Sequence, residues 1–166
     1  MTSATRPIVS LADLQLVPFE QGSLYKGADA SFGALLGLKD MGIRYNEIPP
    51  GKSSTPFHNH HVEEEMFVIL EGEGTYRFGP DSHAIKAGDV LGAAAGGHDT
   101  AHQIANTGNS VLRYLGVSTV AETEVCEYPD SGKFQVMSRV AADRRFRHVG
   151  REGLHTLDYW DGEPGA

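Results

Sequence analysis

His58 and His60 stand two residues apart, and four residues separate His60 from Glu65. On an extended strand, positions i and i+2 leave the same face, so both imidazoles point one way. Glu65 opens a second strand-like run, Met66 to Leu70, which stops at the turn Gly72-Glu73-Gly74. His102, in Ala-His-Gln-Ile-Ala-Asn, stands at the start of a further run. Two imidazoles and a carboxylate on adjacent strands, joined by a third imidazole, offer three nitrogens and one hard oxygen. Such a set suits a divalent transition metal: iron, manganese, nickel, cobalt or zinc. Four protein ligands leave positions for water or substrate, as in a catalytic rather than a closed structural site. Register decides the carboxylate, because a slip of one residue makes Glu64 the ligand and turns the side chain to the other face. Asn59 and His61 face away from the metal. His98, in the polar corner Gly96-Gly97-His98-Asp99, is the alternative to His102.

The elements that must hold these residues are short. Residues 1–10 read as an arm, Val9 to Phe19 as a strand at a sheet edge, and Gln21 to Ser31 as a loop. Phe32 to Leu38 and Ile43 to Ile48 read as a hairpin, ended by Pro49-Pro50-Gly51. Ser82 to Lys86, Val90 to Ala94, Ala101 to Ala105 and Ser110 to Val120 continue the strand series, with a turn at Asn106-Thr107-Gly108-Asn109. Beyond Ala121 the pattern weakens. Glu122 to Tyr128 is extended, Phe134 to Met137 is a short apolar piece, and Val140 to Arg147 has the composition of one helical turn. The tail Leu154 to Trp160 carries the single tryptophan beside Tyr159, and such aromatics are expected to pack on the barrel or on a second subunit. By alternation Phe67 and Ile69 share the face of Glu65, and Ile104 and Asn106 that of His102, so all four are expected on the cavity wall. Arg44, Tyr45, Tyr76, Arg77 and Tyr114 are candidates for polar contacts there.

The spacing Gly51, His58-Asn59-His60, Glu65, Gly72 resembles the first motif of the cupin superfamily, with one residue more than usual before His58. Gly88, Ala94-Ala95-Gly96, His102 and Asn106 resemble the second motif; alanine replaces its proline and the histidine comes late. The resemblance spans residues 32–120 and implies an all-β, single-domain double-stranded β-helix, or jelly-roll, barrel. Residues 1–31 then form an N-terminal arm and edge strand, and 121–166 a C-terminal extension. It also implies His58, His60, Glu65 and His102 as metal ligands and a homodimer paired through sheet edges. The activity implied is metal-dependent chemistry on a small organic molecule, of the sugar-phosphate-isomerase type. There the metal polarises a carbonyl while a carboxylate or histidine shuttles a proton. An iron-dependent dioxygenase and a non-catalytic binding or sensing module are the alternatives. A phosphorylated substrate needs a cationic cradle, for which Arg44 and Lys52 flank the motif.

Composition agrees with a β-rich domain. Twenty glycines and eight prolines punctuate 166 residues, a length suited to one core. A formal net charge of −8 repels phosphate backbones and anionic membrane surfaces, which argues against nucleic-acid and membrane partners. The single cysteine, Cys126, reads as a small buried hydrophobe and cannot form an internal disulfide. With no apolar leader at the N-terminus, the expected location is the cytoplasm.

Overall fold

Runs of Val, Ile, Tyr and Phe alternating with polar residues form strands wherever glycine and proline turns delimit them. The computed structural model describes residues 5–141, 144–151, 153 and 156–164. In chain order the strands are β1 (Val17–Gln21), β2 (Tyr25–Ser31), β3 (Met41–Ile48), β4 (Asn59–His60), β5 (Glu65–Glu71), β6 (Glu73–Phe78) and β7 (Asp81–Lys86). They continue as β8 (Val90–Ala93), β9 (His102–Ala105), β10 (Leu112–Thr119), β11 (Thr123–Tyr128), β12 (Lys133–Ala141) and β13 (Arg144–Arg151). Among the described residues there is no α-helix, and hence none long and apolar enough to cross a membrane.

One sheet runs β1-β2-β3-β10-β5-β8. Facing it are the groups β7-β6-β9 and β13-β12-β11-β4, joined by bridges between His58 and His102 and between Ser53 and Ala105. The result is a jelly roll, in which the chain crosses between sheets at its corners. Gly72 makes one such crossing, from β5 to β6, at φ 84°. A Cβ there would lie 2.7 Å from the Val111 carbonyl oxygen, so only glycine serves. Ile48, Phe67, Ile69, Tyr76, Ile85, Ile104, Leu112 and Tyr114 are buried in the core between the sheets.

Several local expectations change. Gln21 to Ser31 is not a loop: β2 lies between β1 and β3, pairing Ala28 with Glu47. Phe32 to Leu38 is not a strand. Gly33–Leu36 is a 3-10 turn closed by Gly37 at φ 80°, because Gly-Ala-Leu-Leu lacks the β-branched residues that favour a strand. The hairpin partner of β3 is therefore β2. The edge strand at the N-terminus is β1, but it starts at Val17, and Leu11–Asp13 is a 3-10 turn. The helical turn expected over Val140 to Arg147 is replaced by the end of β12 and by β13, where register pairing such as Val136 with His148 overrides weak local preference. Residues 142–143 lie outside the described residues, as do residues 1–4 of the arm and Leu154 and His155 of the tail. Tyr159 and Trp160 pack on each other at 4.7 Å between ring centroids and are 83% and 62% exposed, so within one chain they do not dock on the barrel.

Candidate metal centre

β4 and β5 are not neighbours. β4 pairs with β11, whereas β5 lies in the opposite sheet between β10 and β8. The two imidazoles and the carboxylate therefore meet across the interior of the sandwich, not along adjacent strands. Antiparallel bonds between His58 and His102, N to O at 3.1 and 2.7 Å, bring His102 beside them. The three ring Nε2 atoms surround one oxygen, Glu65 Oε2, at 3.8 Å (His58), 3.3 Å (His60) and 2.8 Å (His102). Metal bonds of about 2.1 Å put neighbouring donors roughly 3 Å apart, which is the scale of this cluster. His58, His60 and Glu65 donor atoms lie within 4.8 Å of one another, and His102 joins them through Glu65.

The rings are oriented from behind. His58 Nδ1 lies 2.8 Å from the Pro56 carbonyl and His102 Nδ1 3.2 Å from that of Thr100. A carbonyl accepts and cannot donate, so each Nδ1 carries its proton and each Nε2 is turned to the cavity, that of His102 within hydrogen-bond distance of Glu65 Oε2. His60 Nδ1 lies 3.4 Å from Cys126 Sγ, and its Nε2 is buried without a hydrogen-bond partner, being out of line with Glu65. An orphaned imidazole nitrogen facing a carboxylate and two further imidazoles fits a metal ligand set. Burial and the adjacent His102 and His60 rings hold His58 down at about 4, so it is neutral at pH 7. For His60 burial acts downward, but Cys126 and the Glu65 carboxylate outweigh it and push the ring up to about 10. Glu65 is driven well below the usual carboxylate range: burial would raise it, and His102 and His60 more than offset that.

The two alternatives separate by position. Glu64 is exposed, and His98 is 65% exposed with Nε2 3.6 Å from Glu127, outside the cluster. His61 turns outward to the same Glu127 at 3.0 Å, and Asn59 donates to it at 3.1 Å. A second group, His60, Glu124 and Cys126, also lies close together. Glu124 is spoken for, because its oxygens accept from the backbone N–H groups of His61 (2.9 Å), Val62 (3.3 Å), Glu63 (2.6 Å) and Val125 (2.8 Å). It is a clamp on the turn between β4 and β5, not a ligand.

The cluster forms part of the wall of a cavity of about 470 Å³, a size that suits a small organic ligand. Phe67, Ile104, Arg44 and Tyr114 line it as expected. Ile69 and Asn106 do not line it; the Asn106 amide is occupied by the carbonyls of Ile48 and Ser110. Tyr45 bonds outward to Glu47, Tyr76 to the Gly92 carbonyl, and Arg77 to Asp130. Lys52 donates to the Ser23 carbonyl at 2.6 Å and does not line the cavity. Asn46, Ser54, Glu63 and Arg139 do line it and were not singled out from the sequence. The signal for Glu124 was available: an acidic residue in phase with buried Cys126 on one strand. Arg139 gave none, because the apolar piece that marks β12 ends at Met137 and the strand runs on through Ser138 and Arg139.

The cupin domain family matches residues 44–118. A solved structure of a proposed sugar phosphate isomerase from Acidithiobacillus ferrooxidans is 30% identical, covers 80% of this chain and 81% of that one, and superposes with a TM-score of 0.69. The chain is a cupin. A cupin structure from Silicibacter pomeroyi, at 19% identity, shares the fold at a TM-score of 0.76 over 92% of this chain and 98% of that one. The oxalate-binding protein of Thermotoga maritima is 42% identical over 71 residues, 43% of this cupin. This cupin spans little more than half the length of the curated relatives it matches: 55% for that protein and 56% for an uncharacterized protein of Methanocaldococcus jannaschii.

Proposed function

We propose that this cupin is a metal-dependent enzyme of the sugar-phosphate-isomerase type, with His58, His60, Glu65 and His102 holding a divalent transition metal. The observation that supports it most is the convergence of three imidazole nitrogens on one carboxylate oxygen at a cavity wall. A cation bound there supplies Lewis-acid polarisation of a substrate oxygen. The chain's own residues do the remainder. Pro56 and Thr100 carbonyls hold the His58 and His102 rings in one tautomer. Phe67 and Ile104 keep water from one side of the ligand. Tyr114, pushed up to about 12 by burial, stays protonated and shares a 2.6 Å hydrogen bond with Ser54. Among the described residues Glu63 supplies the further carboxylate on the wall, and it is the proposed proton acceptor. Its Oε1 accepts from the Ala121 N–H at 2.9 Å, a bond that Glu63→Gln retains.

The test is interconversion of aldose and ketose phosphates by anaerobically metal-loaded protein, abolished in Glu63→Gln with metal content unchanged. Iron-dependent dioxygen consumption in place of isomerisation would instead support the dioxygenase reading. The 42% identity to an oxalate-binding protein favours a second reading, a binding module in which the metal helps to hold the ligand. Tight ligand binding without turnover under every metal would select it. A homodimer is also proposed, because β1 and β13 end their sheets with open edges and Phe146, Val149, Tyr159 and Trp160 are exposed.

A further inference from the structure

Two arginines on the cavity wall belong neither to the histidine cluster nor to the core. Arg44, on β3, donates from Nε to Ser31 Oγ at 3.2 Å and lies 3.8 Å from Asp29. Among the described residues its two Nη groups have no protein partner. Arg139, on β12, donates from Nη1 to the Ala121 carbonyl at 3.3 Å and stands 3.7 Å from Glu63. Its Nε has no protein partner among the described residues. The wall also carries the carboxylates of Glu63 and Glu65. Counting Asp29, which pairs with Arg44, the two guanidinium charges face three carboxylates, so a divalent cation at the cluster leaves one net positive charge around the cavity. That surplus sits inside a chain of formal net charge −8. A guanidinium fork matches oxyanion geometry, and Arg139, 33% exposed against 53% for Arg44, is the less screened of the two.

We propose that the cavity takes a small dianion, a phosphate monoester or a dicarboxylate, whose charged oxygens are held by Arg44 and Arg139. The inference rests on the metal centre proposed above for its charge balance. It moves the anion site from Lys52, which faces elsewhere, to a residue of the C-terminal strands. Asn46, Ser54 and Tyr114 meet the uncharged oxygens of the same ligand.

The experiment is calorimetric titration of the full chain, metal-loaded and chelator-treated, with ribose 5-phosphate, oxalate and uncharged ribose. Variants are Arg44→Gln, Arg139→Gln, Arg139→Lys and, as a control, Lys52→Gln, each checked for metal content and melting temperature. At least one dianion is expected to bind and ribose not to. Each Arg→Gln change weakens the dianion about tenfold or more, Arg139→Lys weakens it less, and Lys52→Gln leaves it unchanged. Binding of ribose 5-phosphate alone selects a monoester, and binding of oxalate alone a dicarboxylate. The proposal is overturned if neither dianion binds, if ribose binds as tightly, or if folded Arg→Gln variants bind as the parent does. A parent protein that takes up no metal defeats the metal reading separately. Dianion binding to it must still depend on both arginines, or this proposal fails as well.

Discussion

His58 and His102 each turn an Nδ1–H to a backbone carbonyl, so the direction of each Nε2 is set before any ligand arrives. His60 differs, since its back nitrogen meets the Cys126 sulfur and its front nitrogen meets Glu65 with no hydrogen bond. In the metal-free chain the charge in the cluster comes from protons. Glu65 is held below its ordinary 4.5, and His60 is raised from 6.5 to about 10. The Glu65 contribution to stability is present above 4.5 and lost as pH falls; that of His60 is full below 6.5 and lost as pH rises through about 10. A pH series of melting temperatures on chelator-treated protein should therefore decline between 6.5 and about 10. A bound cation replaces the lost proton, so the metal-loaded protein should decline less over that window. Parallel profiles for the two forms would show that His60 does not share its charge with a metal.

At the scale of elements, the turn between β4 and β5 must bring Glu65 across to His58 and His60 from the other sheet. Glu124 on β11 does this holding work: the residue is 1% exposed, and its carboxylate has four backbone N–H donors around it. Glu124→Ala strands those donors and should cost about 3 kcal/mol, or roughly 10 °C in melting temperature, with weaker metal uptake. Denaturant and thermal unfolding check the first, and metal titration the second; a loss below about 1 kcal/mol would rule out the clamp. The strand carrying Glu65 was legible because Glu65, Phe67 and Ile69 alternate inward. The sheet to which it belongs was not, since pairing of β5 with β10 and β8 is a long-range choice that no local pattern encodes. The same holds for β13, which its local sequence disguised as a helical turn and which forms only against β12. Gly33–Leu36 failed for the opposite reason: apolarity was read as a strand where glycines and an alanine set a turn.

For the whole molecule, frequent glycine turns between short alternating runs were enough to indicate an all-β barrel or sandwich, while the jelly roll was implied by the resemblance of the histidine and glycine spacing to the cupin motifs. The C-terminal strands share in the site, Glu124 behind it and Arg139 on its wall; the phase of Glu124 with Cys126 was a signal in the sequence, and Arg139 had none. Deleting residues 154–166 should leave the strand signal in circular dichroism unchanged while shifting a dimer to a monomer in light scattering. An unchanged mass would remove the tail from the interface. The most direct measurement of the central claim is elemental analysis of the protein purified without chelator, beside His58→Ala, His60→Ala, Glu65→Ala and His102→Ala. About one equivalent of a divalent transition metal per chain is expected in the parent, falling severalfold in each folded variant. A metal-free parent, or variants that keep the parent's full content, would contradict it.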